Sequence, residues 1–317
     1  MKIYRSIGSV KRIPQGSVVT LGIFDGVHTG HAKIVGSLVK RAKKLGKKSV
    51  ILTFHPHPSA ILHPKRAVLL LTSLDHRLRL LEKQGVDVAV LLKFSERFSK
   101  TEPETFVKDF LLKRLGMVEI FAGRNFVFGR DRKGGMKLLN GLSVKYGFKV
   151  RRKRLLRKRE RAISSTHIRS LIIRGKLHEA ARLLGRPVSI LGTVREGSKR
   201  GRILGYPTAN IDPHHEAVPP SGVYVIRAKL VRAYRCYNGI LNIGVRPTFG
   251  PADSPLYPPE PTIEAHLFNF NRDIYGKDIE IIFVKRLRPE KRFADKEGLK
   301  RRIYLDEKQA RRILGCS

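Results

Sequence analysis

Two histidines three residues apart, His28 and His31, stand at the end of the stretch GIFDGVHTGH (22–31). The apolar run Val18-Val19-Thr20-Leu21 precedes it, and Ile34, Val35, Leu38, Val39, Ala42 and Leu45 follow at helical spacing. That pattern puts both imidazoles at a strand-to-helix turn, where free backbone N–H groups and the positive end of the helix dipole favour polyphosphate. Gly22, Gly26 and Gly30 leave the backbone open to a nucleotide, and the imidazoles can bring movable positive charge to phosphates. Far downstream, Ser164-Ser165-Thr166-His167-Ile168-Arg169 opens another helical pattern. Hydroxyls at a helix start, with an arginine one turn later, form a second phosphate clamp.

A different site is written into the C-terminal part. GTVREG (192–197) leads into GRILGYPTAN (201–210), a basic, glycine-rich loop without the GKS or GKT of a Walker motif. Gly197, Gly201, Arg202, Gly205 and Pro207 belong to this loop. Thr208 and Asn210 alternate along an extended segment, so a hydroxyl and an amide share one face. Such a pair can hold Mg²⁺ and the phosphates bridged to it. In Thr262-Ile263-Glu264-Ala265-His266, Glu264 and His266 share a face in the same way. A kinase acting on an alcohol needs an acceptor for the hydroxyl proton, and a carboxylate serves.

The elements that must position these groups fall into two blocks. Strand patterns at 18–23, 49–54, 88–94, 118–123 and 148–154 alternate with helical patterns at 31–45, 75–84, 102–115, 135–146 and 166–184, the last broken at Gly175. Thr101-Glu102-Pro103-Glu104 reads as a capping box and Gly116 as a helix stop. Alternation of this kind predicts a parallel α/β sheet with helices on both faces and ligands beyond the carboxyl ends of the strands. After Gly185 the segments 188–195, 208–211, 222–231, 236–243, 262–270 and 278–287 predict an antiparallel β-barrel, followed by a terminal helix over 297–314. The domains are therefore 1–184 and 185–317.

The 317 residues suit two domains, each with a core. No apolar run is long enough for a membrane span, and the N-terminus lacks a signal-peptide core, which predicts a cytoplasmic protein. Cys236 and Cys316 make no disulfide framework, and no Cys/His cluster has zinc-ligand spacing. The 65 Lys and Arg against 26 acids give a net charge of +39, which attracts polyanions. The densest basic run is 151–161. It has no interleaved aromatics of the sort that stack on single strands.

HxGH paired with the Ser164 segment marks the nucleotidyltransferase superfamily. Together with TFHPHP (53–58) and GRNFVFG (123–129), it makes residues 1–184 resemble the FMN adenylyltransferase module of bacterial bifunctional FAD synthetases. GRxLGYPTAN, NIGVRPTFG (242–250) and the TIEAH strand make the remainder resemble the riboflavin kinase module. The resemblance implies riboflavin phosphorylation to FMN with ATP, then adenylylation of FMN to FAD with release of pyrophosphate. It implies ATP contacts in the first module from Gly22, Phe24, Asp25, Gly26, Asn125, Arg161, Ser164, Ser165, Thr166 and Arg169, with His28 and His31 at the reacting phosphates. In the second, Thr208 and Asn210 bind Mg-ATP and Glu264 activates the flavin hydroxyl. Phe54, Pro56, Phe126 and Phe128 then line one flavin pocket, and Arg292 and Phe293 border the other. The expected partners are small molecules, with a monomer or weak homo-oligomer and no membrane. The competing expectation, carried by the charge and the 151–161 run, is an RNA-binding protein on a nucleotidyltransferase scaffold.

Overall fold

Strands rich in Val, Ile and Leu that read as continuous apolar runs must be covered on both faces, and the first unit of the chain is built on such strands. The computed structural model describes residues 1–62, 68–123, 126–153, 157–158, 161–197, 205–231, 233, 235–245, 261–291 and 293–316. By its contacts the chain divides into two units, one of residues 1–68 and 74–165, the other of residues 69–73 and 166–317.

In the first unit, β1 (Lys2–Tyr4), β2 (Ser17–Leu21), β3 (Lys48–His55), β4 (Val88–Lys93), β5 (Met117–Gly123) and β6 (Lys149–Lys153) form one parallel sheet in the order β1-β4-β3-β2-β5-β6. Neighbouring side chains on one strand enter different cores. Val19, Val50, Leu52 and Ile120 lie in one apolar cluster, while Val18, Ile51 and Phe121 lie in another with Val35 and Leu38 of α1 (Thr29–Lys44). The two cores are the two faces of the sheet. Helix α2 (Leu74–Glu82) follows β3, and α3 (Met136–Tyr146) lies between β5 and β6. Strands β7 (Arg157–Lys158) and β8 (Arg161–Ala162) pair as a short antiparallel ribbon.

The capping box expected at Thr101–Glu104 does not form. The helix opens at Pro103, which has no N–H to satisfy, and Glu102 makes no side-chain cap. Both acids are drawn to cations instead: Glu102 to Arg130 at 3.4 Å, and Glu104 to Lys145 at 2.8 Å and the Tyr146 hydroxyl at 2.6 Å. The following turns, Phe106–Arg114, are wound as a π-helix that ends at Gly116.

From Thr166 the second unit takes in the rest of α4 (Ser165–Ile173) and then α5 (Leu177–Leu184), the two separated at Gly175 with φ 74°. Strands β9 (Ser189–Arg195), β10 (Ala209–Asp212), β11 (Gly222–Leu230), β12 (Cys236–Val245), β13 (Pro261–Leu267) and β14 (Asp278–Arg288) close an antiparallel barrel in the order β10-β13-β12-β11-β14-β9. Helix α6 (Lys296–Leu314), capped by Asp295 Oδ1 accepting from Gly298 N at 2.6 Å, packs Ala310, Ile303 and Ile313 against Val223, Val225 and Ile240. The stretch 69–73 joins this unit through Leu70 N to His215 O at 3.0 Å and Ala217 N to Leu70 O at 2.6 Å. Buried Glu216 accepts from Ser73 N at 2.6 Å and Leu191 N at 3.1 Å. No helix among the described residues is long and apolar enough to cross a membrane.

Candidate active sites

After β2 the chain needs three left-handed or tight steps to start α1 above the sheet. Phe24 has φ 54°, Gly26 φ 78° and Val27 φ 38°, and of these only the glycine adopts its conformation without strain. His28 then takes the N-cap position, where its Nδ1 accepts from His31 N at 3.3 Å. Its ring stacks on that of His31 at 3.7 Å between centroids, and Gly30 permits this, because a Cβ there would stand 3.1 Å from the His28 ring. Beneath the turn, the fully buried Arg77 donates to Ile23 O at 2.7 Å and Thr53 Oγ1 at 3.2 Å, and Thr53 donates to the same carbonyl at 3.0 Å.

His31 faces a cavity of about 770 Å³, within the range of small-molecule sites. Burial, then His28 and Arg77, hold its pKa well below the ordinary 6.5. It is therefore a neutral hydrogen-bonding ring at pH 7, since desolvation penalises the imidazolium. Its Nδ1 is buried and has no hydrogen-bond partner among the described residues. Gly22, Phe24, Phe54, Phe126 and Phe128 share the cavity wall with Phe94, Phe98 and Phe106. The rings pack edge-on or tilted, with Phe126 and Phe128 at 5.2 Å and Phe54 and Phe94 at 5.7 Å. Ser165 Oγ donates to Asp25 O at 3.0 Å, which brings the start of the downstream segment to the HTGH turn.

In the barrel, Asn210 on β10 lies opposite Glu264 on β13, and Glu264 lies opposite Asn242 on β12. Three polar side chains thus form one row across three strands. They line a cavity of about 340 Å³ with Thr208, His266, Arg288, Glu290, Phe293 and Asp306. Arg288 lies 5.8 Å from the Phe293 ring centroid and is gripped from behind by buried Asp306 at 2.7 Å. A neighbouring cavity of about 530 Å³, walled by Pro207, Ala209, Asp273 and Tyr275, shares Thr208. Thr208 therefore stands between two hollows.

Residues 10–167 match the family model described as FAD synthetase, and residues 184–314 match the one described as riboflavin kinase. The bifunctional riboflavin kinase/FMN adenylyltransferase of Buchnera aphidicola subsp. Schizaphis graminum is 37% identical over 307 residues, 96% of each chain. The chain belongs to this bifunctional family. The Bacillus subtilis (strain 168) member is 37% identical, covering 95% of this chain and 93% of its own, and the Escherichia coli (strain K12) member 34%, covering 100% and 99%. A solved Streptococcus pneumoniae structure, described as a macrolide-efflux protein, superposes with a TM-score of 0.79 at 31% identity over 98% of both chains.

Not every expected residue of this family member meets its site. Pro58 rather than Pro56 lines the aromatic cavity, while His28 is buried with its ring stacked on that of His31. Thr166 and Arg169 lie on α4, directly after Ser165. Asn125, Gly201, Arg202 and Arg292, and the side chain of Arg161, lie outside the described residues. Asn242, Arg288 and Glu290 line the kinase cavity without having been singled out. Asn242 opens the motif NIGVRPTFG, and Arg288 and Glu290 lie just before the expected Arg292 and Phe293, but only barrel register shows that Asn242 faces Glu264.

Proposed function

We propose that the barrel phosphorylates riboflavin to FMN with ATP and that the α/β unit adenylylates FMN to FAD. The observation that carries the first half is the Asn210–Glu264–Asn242 row beside Thr208 in one cavity. Glu264 accepts the proton of the flavin 5′-hydroxyl as its oxygen attacks the γ-phosphorus of ATP and ADP leaves. Arg288 and Phe293 supply a cation and an aromatic face on the flavin side, and the Thr208 hollow takes the nucleotide. Thr208 and Asn210 offer the neutral oxygen donors that suit Mg²⁺ beside phosphates, and there the ion would supply charge neutralisation of the transferred group.

In the α/β unit, the FMN phosphate is already an anionic nucleophile, so the α-phosphate needs positioned donors more than a base. The His31 ring at the cavity wall and the N-terminus of α1 offer such donors, and the phenylalanine-lined cavity suits the isoalloxazine ring. The proposed limits of the two catalytic modules are 1–184 and 185–317. Incubation with riboflavin, ATP and magnesium chloride, followed by chromatography of the flavins, tests the reading. His28→Ala should abolish FAD while leaving FMN formation, and Glu264→Ala should abolish FMN formation while still converting supplied FMN. Equal loss of both activities in both variants would refute separate sites.

A further inference from the structure

His266 is not one of the residues given a chemical role above, yet it is tied to one of them. Its Nδ1 lies 2.9 Å from Pro207 O. A carbonyl only accepts, so Nδ1 carries the proton and donates. Proline has no N–H, which makes that carbonyl the backbone polar group through which Pro207 can be held. Pairing between β10 and β13 starts at Ala209 opposite Ala265, so Thr208 falls one step outside the ladder. Gly205, with φ 82°, turns the chain just upstream. Thr208 is thus fixed on one side by the ladder and on the other by the His266–Pro207 bond. The imidazole itself is set by Tyr206, edge-on at 5.3 Å, and by Phe268 at 6.0 Å.

We infer that His266 is a positioning residue for phosphoryl transfer, donating through Nδ1 to the Pro207 carbonyl and thereby holding the Thr208 hydroxyl between the two hollows. This rests on the reading of Thr208 as a phosphate and metal contact. It assigns no proton transfer to His266.

Asparagine and glutamine separate this role from mere packing. Asn places its Nδ2 where His places Nδ1, whereas the Gln amide extends to the position of Nε2. Both lose the same ring contacts with Tyr206 and Phe268. Riboflavin kinase and FMN adenylyltransferase rates are measured on the full chain for wild type, His266→Asn, His266→Gln and Thr208→Ala, with thermal midpoints. His266→Gln should lose about fivefold or more in kinase kcat, the loss of one hydrogen bond, with KM for riboflavin within about twofold. His266→Asn should recover to within about twofold of wild type, and adenylylation should be unchanged in both. Equal kinase activity, or equal loss of fold, in the Asn and Gln variants overturns the inference about His266. Full kinase activity in Thr208→Ala overturns the reading beneath it, a separate outcome.

Discussion

Gly197 offers a sharp test of the barrel site because its replacement acts through one contact. Its φ lies outside the left-handed region, so alanine can adopt the backbone without strain. A Cβ there would nevertheless run into the Asn210 side chain, with Cγ only 2.6 Å away and Nδ2 closer. Real Cβ atoms do not approach so near, and the Asn210 amide must swing out of its row with Glu264. Displacing a positioned group by about 1 Å costs on the order of 100-fold in rate, or about 2.7 kcal/mol in the barrier. Gly197→Ala should therefore lower kcat/KM for FMN formation about 100-fold while FAD formation from supplied FMN stays within about twofold, both assayed by flavin chromatography. The cycle with Asn210→Ala sharpens the test. Once the amide is gone, the added methyl group should cost little more, giving strong non-additivity. An unaltered kinase rate in Gly197→Ala, or strictly additive losses, would refute the steric argument.

Three other outcomes follow from the geometry. Glu119, buried between Arg41 at 2.8 Å and Arg151 at 3.3 Å, has its pKa lowered from 4.5 to about 2. The depressed native pKa means that this stabilisation is complete above about pH 4.5 and is lost as pH falls towards 2. It amounts to about 2–3 kcal/mol after allowance for screening at half-exposed Arg151, so Glu119→Gln should show a shallower loss of denaturation midpoint over that window. His31, whose pKa is lowered, binds fewer protons folded than unfolded. NMR titration should find its ring neutral at pH 6.5, and its contribution should weaken stability as pH drops below that value. Asp306→Asn removes the carboxylate charge opposite Arg288 and Arg302, at 2.7 and 3.1 Å. Breaking such a buried pair costs about 3 kcal/mol, and with Arg288 loosened beside Phe293, KM for riboflavin should rise about tenfold.

Local patterns were enough for most of the architecture. The alternation of strand patterns at 18–23, 49–54 and 88–94 with helical ones predicted a parallel sheet with helices on both faces, and the change to short strand runs after Gly185 predicted a barrel. HTGH and PTAN could be read as candidate phosphate sites because their spacing lies within a few adjacent residues. Strand β1 went unread, since three residues carry no periodicity, and the Thr101 capping box failed because distant cations won its acids.

What the sequence determined by itself was thus most of the features with a short repeat: the longer strands and helices, and the face on which Glu264 lies. Tertiary structure alone decided which faces meet. Asn242 opposite Glu264, Arg288 over Phe293, the buried Arg77 under the HTGH turn, and Leu69–Ser73 bound to residues 213–217 all join segments far apart in the chain. It also set the charge of His31, because desolvation depends on the atoms packed around a ring and not on its neighbours in sequence.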